Sequence, residues 1–155
     1  MDHQSFGSLL PDVAELVGAA GVFAAIELKD DVLLCTPTAS DVDGGYELRW
    51  DATSARAYVG FSSPDRWLSE SIEADLMHCG DDLDELIEDE LAELGEDYRP
   101  PVEHFRNDQM RYVFRSAVPT AAVEDAGAAD RMCRLLLACE AALGHLGQMS
   151  GPEDE

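Results

Sequence analysis

YELRWD, residues 46–51, is the stretch of sequence that decides the fold. Its apolar and charged residues alternate, which is typical of a β-strand with one buried face. Two strand-like runs precede it, at 22–28 and 32–36, and are separated by a tight turn; another run follows at 56–62. The connections between these four segments are too short to hold crossover helices, so the sequence predicts an antiparallel meander.

Four other segments have the apolar spacing of amphipathic helices. The first is predicted at 8–20, with Ser8 as its N-terminal cap. Two consecutive helices are predicted at 64–79 and 81–95, because a glycine follows each apolar stripe. A long C-terminal helix is predicted at 121–147.

A second hairpin is predicted from two strand-like runs, 102–106 and 110–117, around a polar turn. If Asn107 and Asp108 are the two turn residues, Phe105 pairs with Met110. One face of this hairpin is then apolar, with Met110, Tyr112 and Phe114, and the other is basic, with His104, Arg106, Arg111 and Arg115.

Together these elements predict an α+β fold. An antiparallel sheet, built from the meander and the hairpin, is flanked by N-terminal, central and long C-terminal helices. We expect a single domain over residues 1–155, structured at about 5–147, with a short acidic tail at 148–155.

The composition is strongly acidic: 33 Asp and Glu residues stand against 10 Lys and Arg residues, for a net charge of -23. This charge argues against nucleic-acid binding and against anionic membrane surfaces, because both ligands are themselves negative. The N-terminal residues lack the pattern of a signal peptide, and the longest apolar run, 16–26, is too short to span a bilayer. We expect a cytoplasmic protein with four reduced cysteines.

The acids are concentrated between residues 81 and 97, which hold ten acids and no base. A solvated helix face is the commonest meaning of such a run. The alternative is a surface that attracts a basic partner, for which Glu88, Asp89 and Glu93 are the candidate contacts.

No catalytic or metal-binding motif is recognised. No G-x-S-x-G element accompanies any histidine, and His104 is interpreted as a surface residue beside Arg111. Residues His78 and Cys79 with the acids at 81, 82 and 84 offer metal-binding groups but straddle the break at Gly80. We therefore predict a protein that is not an enzyme and has no metal or cofactor.

Partner binding is predicted to centre on the helix at 64–79. Trp67 stands one residue away from the apolar stripe that contains Leu68 and Ile72, so it can meet a partner or the next helix. We assign partner contacts to Trp67, Leu68 and Ile72, and add Arg111 and Arg115 from the basic face of the hairpin.

The order of elements, and the hairpin VEHFRNDQMRYVFR at 102–115 leading through Pro119 into an Ala/Leu-rich helix, resembles the YbjN-like and type III secretion chaperone-like superfamily. The resemblance spans about 5–147 and implies a small acidic homodimer that holds an extended segment of a partner. This chain differs in having two helices, 64–79 and 81–95, where the family usually has one.

Two functions are consistent with these patterns, and a hydrolase or metal enzyme without a recognised motif is the third alternative. The first is a non-catalytic, chaperone-like or adaptor-like module that binds another protein through a sheet edge or an apolar helix groove. The second is an inhibitor or immunity-type protein whose acidic segment, 81–97, masks a basic site.

Overall fold

The computed structural model describes residues 3–38, 44–80, 82–99, 101–118, 127–144 and 146. It has an α+β fold, as predicted, with four helices in this part of the chain and a six-stranded antiparallel sheet. The predicted acidic tail at 148–155 lies outside the described residues.

The sheet has the strand order β1-β2-β3-β4-β6-β5 and is antiparallel throughout. The meander is confirmed, and the hairpin joins it through β6, which leaves β1 and β5 at the edges. The strands are β1 (Ala25–Lys29), β2 (Val32–Thr36), β3 (Gly45–Asp51), β4 (Arg56–Ser63), β5 (Val102–Arg106) and β6 (Tyr112–Ala117).

The helices are α1 (His3–Ala20), α2 (Arg66–Cys79), α3 (Leu83–Glu93) and α4 (Ala128–Leu143). Helix α1 starts before the predicted cap at Ser8. The earlier start is explained by Phe6, which is fully buried and has its ring 5.7 Å from that of Trp50. Most of the predicted N-terminal extension of α4, at 121–126, lies outside the described residues.

Helix α2 has a clear start and stop. The carboxylate of Asp65 accepts hydrogen bonds from the backbone N–H groups of Trp67 and Leu68, which caps the first turn. Gly80 ends the helix in the left-handed conformation, with φ at 77°. These two signals fix where α2 begins and ends.

One hydrophobic core joins all four described helices to strands β2, β3, β4 and β6. Alternate residues of the strands, such as Leu48, Val59 and Phe114, point into this core. We call this side of the sheet the core face, and the side that carries Tyr58 and Arg115 the opposite face. No described helix is long and apolar enough to cross a membrane.

The register of the second hairpin differs from the prediction. Phe105 pairs with Val113 rather than Met110, because residues 107–111 form a five-residue loop. Met110 adopts a positive φ of 64°, and the side chain of Asn107 accepts hydrogen bonds from the N–H groups of Gln109 and Arg111.

This register also changes the predicted faces. His104 pairs with Phe114 and therefore lies on the core face, whereas Phe105 shares the opposite face with Arg115. The division into one apolar and one basic face was wrong: each face of the hairpin carries both kinds of residue.

Candidate functional site

Helix α2 divides into a buried face and an exposed face. Leu68 and Ile72 are 2% and 0% exposed and belong to the hydrophobic core, so their predicted role in direct partner contact is corrected. Trp67 is 77% exposed. Successive helix residues are about 100° apart around the axis, which explains why adjacent residues have opposite roles.

The exposed face of α2 carries two large apolar side chains. Trp67 and Met77, at 77% and 84%, are the most exposed large hydrophobic residues in the described part of the chain. They lie about 15 Å apart along the helix axis. We define the outer face of α2 by its exposed residues Trp67, Glu70, Ala74, Met77 and His78.

An ion pair lies beside Trp67 on this face. The Arg66 guanidinium donates to the carboxylate of Glu70 at 2.9 Å, one helical turn away. This hydrogen bond raises the pKa of Arg66. The only cation next to Trp67 in α2 is therefore already neutralised locally.

Helix α3 is amphipathic, as predicted. Leu83, Ile87 and Leu91 are buried in the core, and α3 packs against α4. The other side of α3 carries Glu88, Asp89, Glu90 and Glu93. Among the described residues, none of these four carboxylates forms an ion pair with a cation. The role of Glu88, Asp89 and Glu93 in partner binding stays a prediction.

The first turn of α3 is partly neutralised. Arg99 lies 3.2 Å from Asp84, 3.8 Å from Glu85 and 3.9 Å from Asp82. The hydrogen bond with Asp84 is the main cause that raises the pKa of Arg99. Among the described residues, the α3 carboxylates without an ion-pair partner are therefore concentrated in the second half of the helix.

Arg115 makes extensive contacts within the chain. Its guanidinium lies 3.7 Å from the ring centre of Tyr58 and 5.0 Å from that of Phe105. It also pairs with Asp51 at 3.2 Å and with Glu103 at 2.8 Å. These contacts connect β3, β4, β5 and β6 on the opposite face, so much of the predicted partner-binding charge of Arg115 is used internally.

Arg111 also has internal partners. Its Nε donates to Ser62 Oγ at 3.2 Å, and Nη2 donates to the carbonyl oxygen of Ser62 at 3.1 Å. These bonds hold the hairpin loop against β4. The predicted role of Arg111 and Arg115 in partner binding stays a prediction.

The ion pair of Arg115 gives a testable pH effect. Burial raises the pKa of Asp51, but hydrogen bonds from Thr53 and Arg115 outweigh it, so the net pKa lies below its ordinary 3.8. The stability contributed by this carboxylate is fully present above pH 3.8 and is lost as the pH falls through the lower folded value.

We expect Arg115→Gln to raise the pKa of Asp51, measured by NMR titration of its carboxyl carbon, because the variant removes a hydrogen bond and a positive charge. Arg111→Gln is the matched control, since Arg111 contacts Ser62 and not Asp51. Equal Asp51 titrations in the two variants would contradict this assignment.

A hydrogen-bonded cluster lies between α2 and β5. Ser69 Oγ is 3.1 Å from His104 Nε2, and Glu73 Oε2 is 3.3 Å from His104 Nδ1. The His104 ring stacks on Phe114 with a centroid distance of 3.8 Å. Burial lowers the pKa of His104 below 6.5, and the Glu73 carboxylate opposes this shift.

Sequence reasoning missed this cluster. Ser69 and Glu73 are four residues apart and therefore share one side of α2, which was the available signal. His104 is 35 residues beyond Ser69, and the wrong hairpin register had placed it at the surface beside Arg111. An open cavity of about 470 Å³ adjoins the cluster and is also lined by Arg66 and Tyr112.

The described cysteine thiols are shielded from solvent. Cys35, Cys133 and Cys139 are free and buried, and burial raises the pKa of Cys35 and Cys139 to about 12. No group of three or more metal-ligating side chains is arranged around a common point among the described residues. The hypothetical metal set includes Asp81 and the side chain of Cys79, which lie outside that description.

No family model, curated protein or solved structure matches this chain. The resemblance to the YbjN-like and type III secretion chaperone-like superfamily therefore stays a prediction.

Proposed function

We propose that this protein is a chaperone-like or adaptor-like binding module, and that it docks a basic partner protein on the outer face of α2. The observation that carries the proposal is the exposure of Trp67, at 77%, together with that of Met77, at 84%, about 15 Å further along the same face of α2. Large aromatic and sulfur-containing side chains are enriched at the centres of protein interfaces.

Trp67 contributes little that the fold requires. Its neighbours Leu68 and Ile72 supply the buried contacts of α2, and the helix is capped by the Asp65 side chain through backbone N–H groups. A tryptophan side chain can bury about 150–250 Å² on binding, which makes it an effective anchor. Its position on a capped helix restricts its motion before binding, which favours affinity.

The charge of the chain supports a basic partner. A second copy would bring another net charge of -23 to the interface and would be repelled, whereas a basic protein would be attracted and steered toward the surface. The exposed Glu73 lies beside the outer face of α2, whereas the charge of Glu70 is balanced by Arg66. Charge therefore favours a basic partner over the homodimer that the family resemblance implies.

Site-specific photo-crosslinking tests this proposal. Trp67→p-benzoylphenylalanine is expected to form a discrete covalent adduct with a basic protein. The yield of this adduct is expected to fall as the salt concentration rises, because salt screens the attraction between the two proteins. The matched control is Met110→p-benzoylphenylalanine, because Met110 is also exposed, at 60%, but lies in the hairpin loop. No adduct, or the same adduct from both positions, would contradict the proposal.

A second candidate function is an inhibitor that masks a basic site with the acidic side of α3. It is favoured by Glu88, Asp89 and Glu93, which have no ion pair with a cation of the described residues. If the protein is such an inhibitor, replacing these three acids with lysine is expected to abolish binding of the target protein. Binding that survives the reversal but fails in Trp67→Ala favours the docking module.

A further inference from the structure

We propose that Ser69, His104 and Glu73 form a hydrolytic site for small carboxylic esters, at the cavity between α2 and the β5–β6 hairpin. Ser69 supplies the nucleophile, His104 the general base, and Glu73 positions the imidazole. The two contacts, 3.1 Å from Ser69 Oγ to Nε2 and 3.3 Å from Glu73 Oε2 to Nδ1, place each group at the correct ring nitrogen.

The contacts of the histidine ring favour one tautomer. Glu73 Oε2 lies 3.3 Å from Nδ1, so the proton is favoured on Nδ1, where it faces the carboxylate, and the lone pair of Nε2 is left to accept from the Ser69 hydroxyl. Stacking on Phe114, with an interplanar angle of 10°, holds the ring in this orientation. The burial of His104 favours the neutral imidazole, which is the form a general base requires.

The reaction consumes one ester and one water. Ser69 Oγ attacks the carbonyl carbon while its proton passes to His104 Nε2, and the C–O bond to the alcohol breaks as Nε2 returns the proton to the leaving oxygen. Water then attacks the acyl-serine with proton transfer to Nε2, and the carboxylic acid leaves as the serine regains its proton. No other reactant is needed.

The open cavity gives access to the nucleophile. Ser69 is 4% exposed, so an ester reaches its hydroxyl only from the adjoining cavity of about 470 Å³. That volume is within the range of small-molecule sites. Arg66 and Tyr112 also line the cavity, and the Arg66 guanidinium is paired there with Glu70.

Trp67, the anchor of the docking surface, lies outside this site, although Glu70 and Glu73 border both. Ser69 follows Trp67 by two residues, which places it about 200° around the helix axis. Trp67 is exposed while Ser69 faces His104 across the helix–sheet boundary. Loss of one function therefore does not entail loss of the other, and Trp67→Ala is expected to keep full hydrolytic activity.

A fluorophosphonate probe and p-nitrophenyl acetate test the site in the full chain. We expect the probe to label Ser69, identified by peptide mass spectrometry, and Ser69→Ala and His104→Gln to lower ester hydrolysis by about 100-fold or more. Ser71→Ala is the matched control and is expected to keep both activities. Circular dichroism of each variant separates loss of chemistry from loss of the fold.

Glu73→Gln provides a second, independent test, because the Glu73 side chain is 50% exposed and its replacement is not expected to disturb folding. We expect a lower rate and a pH–rate profile displaced to lower pH, since the carboxylate no longer stabilises the imidazolium. Absence of probe labelling on Ser69, activity that persists in Ser69→Ala, or an unchanged pH profile in Glu73→Gln would overturn the proposal.

Discussion

Replacing Ile72 with alanine is expected to lower the free energy of unfolding by about 2–5 kcal/mol. Ile72 is 0% exposed and belongs to the core cluster, so its truncation removes buried apolar contacts and leaves a cavity. Urea denaturation followed by circular dichroism measures this change. If the unfolding free energy depends on urea concentration with the same slope as in the wild-type protein, only stability is affected.

Trp67→Ala, on the same helix, is the matched control. Because Trp67 is 77% exposed, its truncation is expected to change the free energy of unfolding by less than about 0.5 kcal/mol. Losses of similar size for Ile72→Ala and Trp67→Ala would contradict the division of α2 into a buried and an exposed face.

Gly60→Ala is expected to destabilise the protein by about 3 kcal/mol, at the upper end of the range for overpacking. A Cβ atom on Gly60 would collide with the carbonyl oxygen of Phe114 and lie 2.8 Å from Arg115 Cα. Both obstacles are backbone atoms of β6, the strand that pairs with β4, so relief requires these two interior strands to separate.

Gly7→Ala is the control for this substitution. Gly7 lies within α1, and a Cβ atom there would approach Asp31 Oδ1 no closer than 3.7 Å. The helix preference of alanine is expected to raise the free energy of unfolding by up to about 1 kcal/mol. Thermal melts measure both variants. Melting temperatures that shift in the same direction for Gly60→Ala and Gly7→Ala would contradict the close approach of β4 and β6.

Most of the fold could be predicted because its signals are local. Strands β2 (Val32–Thr36) and β5 (Val102–Arg106) were predicted with their observed bounds. The turn between β1 and β2 is made by Asp30 and Asp31, which adopt positive φ of 51° and 61° as a tight hairpin requires. Apolar periodicity and turn residues are properties of neighbouring positions, so one sequence reveals them.

The hairpin register could not be obtained in this way. A two-residue and a five-residue turn both fit the polar residues after Arg106, and the difference depends on Met110 taking a left-handed conformation while the Asn107 amide binds the loop backbone. The observed register differs from the predicted one by three positions, from Met110 to Val113 opposite Phe105, and because three is odd it moves His104 from one face to the other. That is why its contact with Ser69 was missed.

The faces of α2 were only partly predictable. The position of Trp67 beside the stripe of Leu68 and Ile72 indicated two different roles. Periodicity does not reveal whether an apolar stripe packs inside the chain or remains available to a partner. Burial in the folded chain answers that question, and it assigns Leu68 and Ile72 to the core.

The most direct test of the docking account is the affinity of the purified protein for the crosslinked partner, once that partner is identified and purified. Trp67→Ala is expected to raise Kd by about 30-fold, equivalent to an interface anchor worth about 2 kcal/mol. Met110→Ala, which removes an apolar side chain of 60% exposure elsewhere on the surface, is expected to leave Kd within about twofold. Equal affinities of the wild-type protein and Trp67→Ala would contradict the account.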